Sequence, residues 1–233
     1  MTEDRLKLYQ FEESPFCEKI RRVMQAKGLS FEVEEIALSQ SLVRLKKINA
    51  MGKLPCLEHG DRLMGDSTEI AHYLEATFPD PALIPSTPRE RALCHMLEDW
   101  ADESLYFYHV RMRFTFPHNA RRHLPLLVRH DTAMAGRLAS LVLPNTFKAQ
   151  LHQQGVGRKP DALVVLDVRR HVEALAGWLD GDWLIGDRLT LADLAVFVQI
   201  SGIRRTEEGE RMIDERPRLA AWLDRVDAAS SAP

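Results

Sequence analysis

The chain has 233 residues, of which 45% are hydrophobic and 28% charged, a composition typical of a globular protein and unlike that of a disordered segment. Its 31 basic and 34 acidic residues give a net charge of −3, so no global positive field favours nucleic acid or an anionic membrane surface. We therefore expect a protein that acts on small molecules, with neither nucleic acid nor membrane as a partner.

The first residues of the sequence and its cysteines bear on the compartment of the protein and on metal binding. Residues 1–5 lack the basic and then apolar layout of a secretory signal, and the stretch from Leu189 to Ile203 contains Asp193 and is too short to cross a bilayer. The chain contains three cysteines: Cys17, Cys56 and Cys94. An odd number at wide spacing favours free thiols over disulfides or a zinc site. We expect a cytoplasmic protein without a bound metal.

The first 80 residues predict the element order βαβαββα. Leu6 to Phe11 alternates as a strand does, and Ser14-Pro15 then offers an N-cap and a first-turn proline for a helix. Gly28 ends that helix before a second strand, Phe31 to Ile36. Three further elements follow: a weaker helix around Leu42 to Ile48, a hairpin that turns at His59-Gly60-Asp61, and a helix that begins after Asp66-Ser67 and ends at Pro79. We assign residues 1–80 to one α/β domain.

A proline-rich segment divides the chain. Residues 78–88 hold four of the twelve prolines, so we place an interdomain linker at residues 81–88. Beyond it, helical periodicity predicts helices at Ala92–Phe114, Leu124–Leu151, Ala162–Leu179, Leu191–Ile203 and Pro217–Val226. Residues 89–233 should therefore form an all-helical domain. Within it, Thr190-x-x-Asp193 has the spacing of a capping box, which gives Asp193 a structural and not a catalytic role.

Several motifs in one order carry a resemblance to a known family. A βαβαββα unit with Ser14-Pro15-Phe16-Cys17 at its first helix and Leu54-Pro55 before its third strand, followed by a linker and a helical domain, resembles the cytosolic glutathione transferase superfamily. The segment from Leu184 to Asp193 is similar to the capping motif of the family's second domain. The resemblance implies a thioredoxin-like first domain, glutathione as co-substrate and a homodimer.

Ser14 is the candidate catalytic residue. In the family, the equivalent position contacts the sulfur of glutathione, as serine in tau-like and theta-like classes and as cysteine in omega-like ones. A thiol with a pKa of about 8.5 is mostly protonated at neutral pH, and a hydroxyl at a helix N-terminus can stabilise its thiolate. Ser14 could also simply cap the helix. Cys17 is the alternative nucleophile, because Ser14-x-x-Cys17 resembles a glutaredoxin site whose first cysteine has become serine.

The resemblance assigns the rest of glutathione to two segments. The backbone of Leu54, before a cis proline, would pair with the cysteinyl part, and Lys53 would meet the glycyl carboxylate. Ser67 at a helix N-terminus would bind the γ-glutamyl carboxylate, while Asp66 pairs with the γ-glutamyl ammonium. The predicted glutathione-binding residues are Phe16, Lys53, Leu54, Pro55, Asp66 and Ser67. Each also has an ordinary explanation, as a strand start, a solvated lysine or a helix cap.

The electrophile pocket is predicted on the first long helix after the linker. Among the aromatic and basic residues there, Tyr108 and Arg111 are the candidates for contact with the electrophile. The favoured function is a glutathione transferase that joins the glutathione thiolate to a small electrophile. Two alternatives stay open: a glutathione-dependent thiol reductase or lyase that uses Cys17, and a non-catalytic binding module that keeps the fold.

Overall fold

The structure is a computed structural model that describes residues 5–49 and 51–231, except for the side chains of residues 41–43. Its first domain contains β1 (Leu6–Gln10), α1 (Pro15–Ala26), β2 (Phe31–Glu35), α2 (Leu38–Ile48), β3 (Cys56–His59), β4 (Arg62–Gly65) and α3 (Ser67–Thr77). The predicted order βαβαββα is confirmed.

One mixed sheet organises this domain, with strand order β2-β1-β3-β4. β1 runs parallel to β2 and antiparallel to β3, where Leu8 lies opposite Leu57. Leu6 and Leu8 are buried while the residues between them are partly exposed, as the alternation in the sequence predicts. α1 presents its own apolar side chains to α3 and to the second domain, so the start of α1 lies at the junction of the two domains.

The second domain is helical in the part of the chain that the structure describes. Its helices are α4 (Pro88–Trp100), α5 (Tyr106–Thr115), α6 (Pro117–Leu127), α7 (Ala133–Gln154), α8 (Asp161–Trp178), α9 (Leu191–Arg204), α10 (Glu207–Asp214) and α11 (Pro217–Ser230). The predicted all-helical class is confirmed. Within the described ranges, no helix is both long and apolar enough to cross a bilayer.

Two helix predictions need correction, and one helix was not predicted. The predicted helix Ala92–Phe114 begins earlier, where Thr87 caps α4, and a π-helical turn at Ala101–Leu105 separates α4 from α5. The predicted helix Leu124–Leu151 is two helices, α6 and α7, because Thr132 starts a new one with a side-chain cap on the amide of Ala135. α10 was not predicted, because its many charged residues leave few apolar positions in the sequence, although Thr206 caps it.

Residues 78–87, between α3 and α4, are anchored to both domains. The ammonium of Lys27 on α1 donates to the carbonyls of Phe78 and Pro81, at 2.8 and 2.9 Å. The carbonyl of Leu83 accepts a hydrogen bond of 2.8 Å from the amide of Leu191 at the start of α9. This segment overlaps the predicted linker at residues 81–88, whose limits stay a prediction.

The predicted capping box of α9 is confirmed. Thr190 caps the helix with its side chain on the amide of Asp193, and the Asp193 carboxylate accepts in return from the amide of Thr190. Asp193 is fully buried and also accepts hydrogen bonds from the amide of Leu184 and the indole of Trp222, both at 2.9 Å. These contacts support the structural role expected for Asp193.

Candidate functional site

Ser14 lies at the N-cap of α1, directly after a tight turn. Its amide donates to the carbonyl of Phe11 at 2.9 Å, and its hydroxyl oxygen accepts from the amide of Cys17 at 3.4 Å. The hydroxyl proton is not used in this cap, so the same group can cap the helix and donate to an anion beside it. The structural and catalytic interpretations of Ser14 are therefore compatible.

The burial and contacts of Cys17 indicate a structural role. Its side chain is fully buried, and its sulfur accepts a hydrogen bond from the amide of Phe11 at 3.4 Å. Burial raises the pKa of the Cys17 thiol to about 11, although contacts with Phe11 and Ser14 oppose this. A protonated thiol without access to solvent is a poor nucleophile, which argues against the alternative chemistry that uses Cys17.

We expect Cys17 to stay unmodified when the folded protein is treated with iodoacetamide near neutral pH, because its thiol is buried and protonated. Mass spectrometry of the Cys17 peptide measures this, and the protein unfolded in denaturant is the control that should react fully. A mixed disulfide between glutathione and Cys17 in the folded protein would contradict the expectation and revive the reductase alternative.

A cleft of about 190 Å³ lies between the first domain and α4. All six predicted glutathione-binding residues line it: Phe16, Lys53, Leu54, Pro55, Asp66 and Ser67. The peptide bond between Leu54 and Pro55 is cis. Ser14 stands two residues before Phe16, at the start of the same helix. The structure thus gathers residues that lie up to 51 positions apart in the sequence around one opening.

The start of α3 supplies the cleft with backbone donors and a carboxylate. Asp66 adopts a positive φ of 70°, which is costly for a residue other than glycine and is often found at functional sites. One of its carboxylate oxygens accepts from the amides of Thr68 and Glu69, at 3.0 and 3.2 Å. Its other oxygen makes no such cap contact. Ser67 is the first residue of the helix and is buried.

The opposite wall carries buried acids that the sequence analysis missed. The ammonium of Lys19 on α1 is fully buried and pairs with Glu98 at 2.8 Å and with Asp102 at 2.5 Å. Both acids line the cleft, and the hydroxyl of Thr68 donates to Glu98 at 2.7 Å. Glu98 and Asp102 are four positions apart, a spacing that puts them on one helix face, but nothing in the sequence linked them to Lys19.

One carboxylate oxygen of Asp102 has no hydrogen-bond partner among the residues that the structure describes. Its Oδ2 accepts from the Lys19 ammonium, whereas its Oδ1 is buried and has no donor within those residues. Burial raises the pKa of Asp102 to about 6, against the attraction of Lys19. A buried carboxylate oxygen left unpaired costs free energy, so this oxygen is suited to a cationic donor from a ligand.

The structure does not bring Tyr108 and Arg111 into this cleft. Their side chains bond to carboxylates of α8, at 3.2 and 2.5 Å. Tyr106 lies on the other side of α5, with its ring 4.8 Å from that of Phe16. The role of Tyr108 and Arg111 in binding an electrophile stays a prediction, and Tyr106 is nearer to the cleft.

Comparisons with known proteins agree with this geometry. Residues 8–82 match the family model of the glutathione S-transferase N-terminal domain, and residues 130–229 match that of the C-terminal domain. The chain is 27% identical to protein LigF from Sphingobium sp. strain SYK-6, over 96% of this chain and 90% of LigF. The crystal structure of that protein, a beta-etherase, covers 98% of this chain and 96% of its own, with a TM-score of 0.65.

Two further similar proteins carry the name glutathione transferase. The isoprene-epoxide–glutathione S-transferase of Rhodococcus sp. is 23% identical over 91% of each chain. The structure of rice GST1 in complex with glutathione has a TM-score of 0.67 and 24% identity, and covers 97% of this chain and 88% of the rice protein. The rice structure supports the shared fold.

Proposed function

This chain belongs to the cytosolic glutathione transferase superfamily, and we propose that it joins the thiolate of glutathione to an electrophilic carbon of a small substrate. The observation that carries the proposal is the position of Ser14, whose hydroxyl caps α1 two residues before Phe16, which lines the cleft. Positioning of the two reactants and a lowered thiol pKa are the sources of rate enhancement available to such a site.

The cleft offers a partner for each charged group of glutathione. Lys53 is the basic residue for the glycyl carboxylate, and the backbone of Leu54 can pair with the cysteinyl part. The γ-glutamyl carboxylate suits Ser67 at the N-terminus of α3, where backbone amides and the helix dipole favour an anion. The γ-glutamyl ammonium suits Asp66 together with the unpaired oxygen of Asp102.

In the proposed reaction, Ser14 donates a hydrogen bond to the glutathione sulfur and so favours the thiolate over the thiol. The thiol proton passes to solvent. The sulfur then attacks carbon: a carbon–sulfur bond forms and the bond from that carbon to halide, aryloxide or epoxide oxygen breaks, with the electron pair leaving on that atom. Neither a redox step nor Cys17 is needed.

Two relatives suggest which electrophiles to test. The Rhodococcus relative is named for an epoxide and LigF for ether cleavage, and both reactions can start from thiolate attack on carbon. We propose a β-aryl ether as the second substrate class to examine, because LigF aligns over nearly the whole chain. We also expect a homodimer, to be measured by light scattering.

The test begins with calorimetric titration of the purified protein with glutathione. Turnover is then followed with a generic aryl halide, an epoxide and a β-aryl ether, with mass spectrometry of the conjugate. Glutathione binding together with any one conjugate supports the proposal. Failure to bind glutathione at millimolar concentration would instead leave the non-catalytic module as the better description.

Asp102→Asn is expected to raise KM for glutathione about tenfold with little change in kcat, since a hydrogen bond to a charged group contributes about 1.5 kcal/mol or more. Because the pKa of Asp102 is raised to about 6, affinity of the parent protein for glutathione should increase as pH rises through 6 and the carboxylate forms. The Asn variant should show no such increase.

The control for this prediction is a glutathione analogue that lacks the γ-glutamyl ammonium. The parent protein should bind it more weakly than the Asn variant binds glutathione, because the analogue also loses its contact with Asp66, and Asp102→Asn should change the affinity for the analogue little. If Asp102→Asn weakened binding of the analogue as much as it weakens binding of glutathione, Asp102 would not contact the ammonium.

A further inference from the structure

Glu13, the residue directly before Ser14, forms a buried ion pair with the second domain. A guanidinium nitrogen of Arg113 on α5 lies 2.5 Å from its carboxylate, and the two side chains are only 2% and 7% exposed. Removing one partner of such a buried pair leaves an uncompensated charge, which is strongly destabilising. The position of Glu13 is therefore tied to α5.

Further basic side chains from the second domain contact the same loop. Arg129, in the turn between α6 and α7, lies 3.2 Å from the second carboxylate oxygen of Glu13 and 2.5 Å from Glu12. His130 reaches Glu12 at 2.7 Å, and this contact is the main reason that the pKa of Glu12 is lowered. The side chains of Arg129 and His130 are each more than one-third exposed, so screening by water makes these outer contacts weaker than the pair of Arg113 with Glu13.

Arg113 has Glu13 as its carboxylate partner in the described part of the chain. His109, one turn earlier on α5, adds no charge, because burial lowers its pKa to about 3. A buried ion pair is seldom more stabilising than apolar side chains of similar size. A role in fixing the local geometry is a better explanation for a charge pair at this junction.

One peptide bond separates the Glu13 backbone from Ser14. The turn that holds both residues is closed by the hydrogen bond from the amide of Ser14 to the carbonyl of Phe11. A hydroxyl stabilises a thiolate only within hydrogen-bond distance, and a displacement of about 1 Å can cost on the order of 100-fold in rate. The contact that holds the Glu13 carboxylate therefore restrains the turn whose backbone carries the Ser14 hydroxyl.

We propose that Arg113 is a positioning residue that, through Glu13, holds the Ser14 hydroxyl where it can donate to the sulfur of glutathione. Arg113 does not line the glutathione cleft and acts on the ligand through this chain of contacts. The inference rests on the function proposed for Ser14 and adds a domain contact on which that function depends.

The test compares Arg113→Met, Arg113→Lys and Glu13→Gln by the pKa of the bound glutathione thiol, read from the ultraviolet absorbance of the thiolate against pH. Arg113→Met should raise this pKa by about one unit and lower kcat by up to about tenfold at pH values below the thiol pKa, while KM for glutathione changes less than about twofold. Arg113→Lys, which keeps the charge, should have a thiol pKa and a kcat close to those of the parent protein.

Glu13→Gln separates positioning from direct electrostatics. Removing a negative charge near the sulfur would by itself favour the thiolate and lower the thiol pKa. Loss of the ion pair that positions Ser14 should raise it instead. A lowered pKa in Glu13→Gln would overturn the proposal.

The matched control is Arg22→Gln. Arg22 also joins the domains, from α1 to Asp227 on α11 at 2.8 Å, but lies two turns beyond Ser14. This variant should lose stability without a change in the thiol pKa. A pKa rise in Arg22→Gln equal to that in Arg113→Met would reduce the effect to general domain loosening and overturn the proposal.

A second readout does not depend on glutathione. Amide hydrogen exchange over residues 11–17 should accelerate in Arg113→Met and in Glu13→Gln, and not in Arg22→Gln. If Arg113→Met does not fold, the proposal is tested with Arg113→Lys and Glu13→Gln alone. If the parent does not bind glutathione, the proposed function fails, whereas unchanged exchange at residues 11–17 in Glu13→Gln would refute the positioning by Arg113.

Discussion

Ser14→Ala is expected to lower kcat for conjugation about 100-fold, because removing one preorganised donor to a developing or bound anion typically costs two to three orders of magnitude. The pKa of the bound glutathione thiol should rise toward its value in free solution, so turnover should recover partly at alkaline pH. Steady-state rates with an aryl halide and thiolate absorbance against pH measure both effects. Unchanged turnover would remove Ser14 from the mechanism.

Loss of the helix cap has to be separated from loss of the donor. Ser14→Ala removes both, and the cap alone should cost about 1 kcal/mol of unfolding free energy. Ser14→Asp keeps a capping carboxylate but cannot donate to sulfur, so we expect it to fold well and remain inactive. Ser14→Thr keeps cap and donor and should retain most activity. Activity in Ser14→Asp would show that capping alone is sufficient.

Local chemistry explains why much of the site could be predicted. Ser14-Pro15 and Asp66-Ser67 are helix starts, and a helix start is determined by residues within about one turn. The order of these motifs along the chain was enough to suggest the family, and the family implied the cleft. The structure then gathered all six predicted lining residues.

The acids beside the cleft could not be predicted, because their partner comes from far along the chain. Lys19 and Asp102 are 83 positions apart. A lysine on a helix is ordinarily solvated, and Lys19 becomes a buried counter-ion only because the fold brings Glu98 and Asp102 to it. The pairing of Glu13 with Arg113, 100 positions apart, was hidden for the same reason.

Which residues of α5 face the cleft depends on the helical phase with which α5 follows α4. A regular helix through the region would have kept one periodicity from α4 into α5, but the π-helical turn at Ala101–Leu105 changes the phase between them. Tyr106 then faces Phe16, and Tyr108 faces α8. Apolar spacing in the sequence does not reveal such a turn.

Asp193→Ala is expected to reduce the unfolding free energy by about 4 kcal/mol, a large share of the stability of an ordinary domain. The Asp193 carboxylate is fully buried and accepts hydrogen bonds from Leu184, Thr190 and Trp222. Alanine would leave these buried donors unpaired, at about 1–3 kcal/mol for each unsatisfied group. Urea denaturation measures the change.

Two further variants show whether the stability loss in Asp193→Ala has the expected size. Thr132→Ala removes the exposed cap of α7, where one amide loses its partner, and should cost only about 1 kcal/mol. Asp193→Asn keeps one accepting oxygen and should fall between the two. Asp193→Ala protein that is still folded at low temperature should retain the parent kcat, since Asp193 does not line the cleft. A loss of kcat in folded protein, with little loss of stability, would give Asp193 a role in the reaction after all.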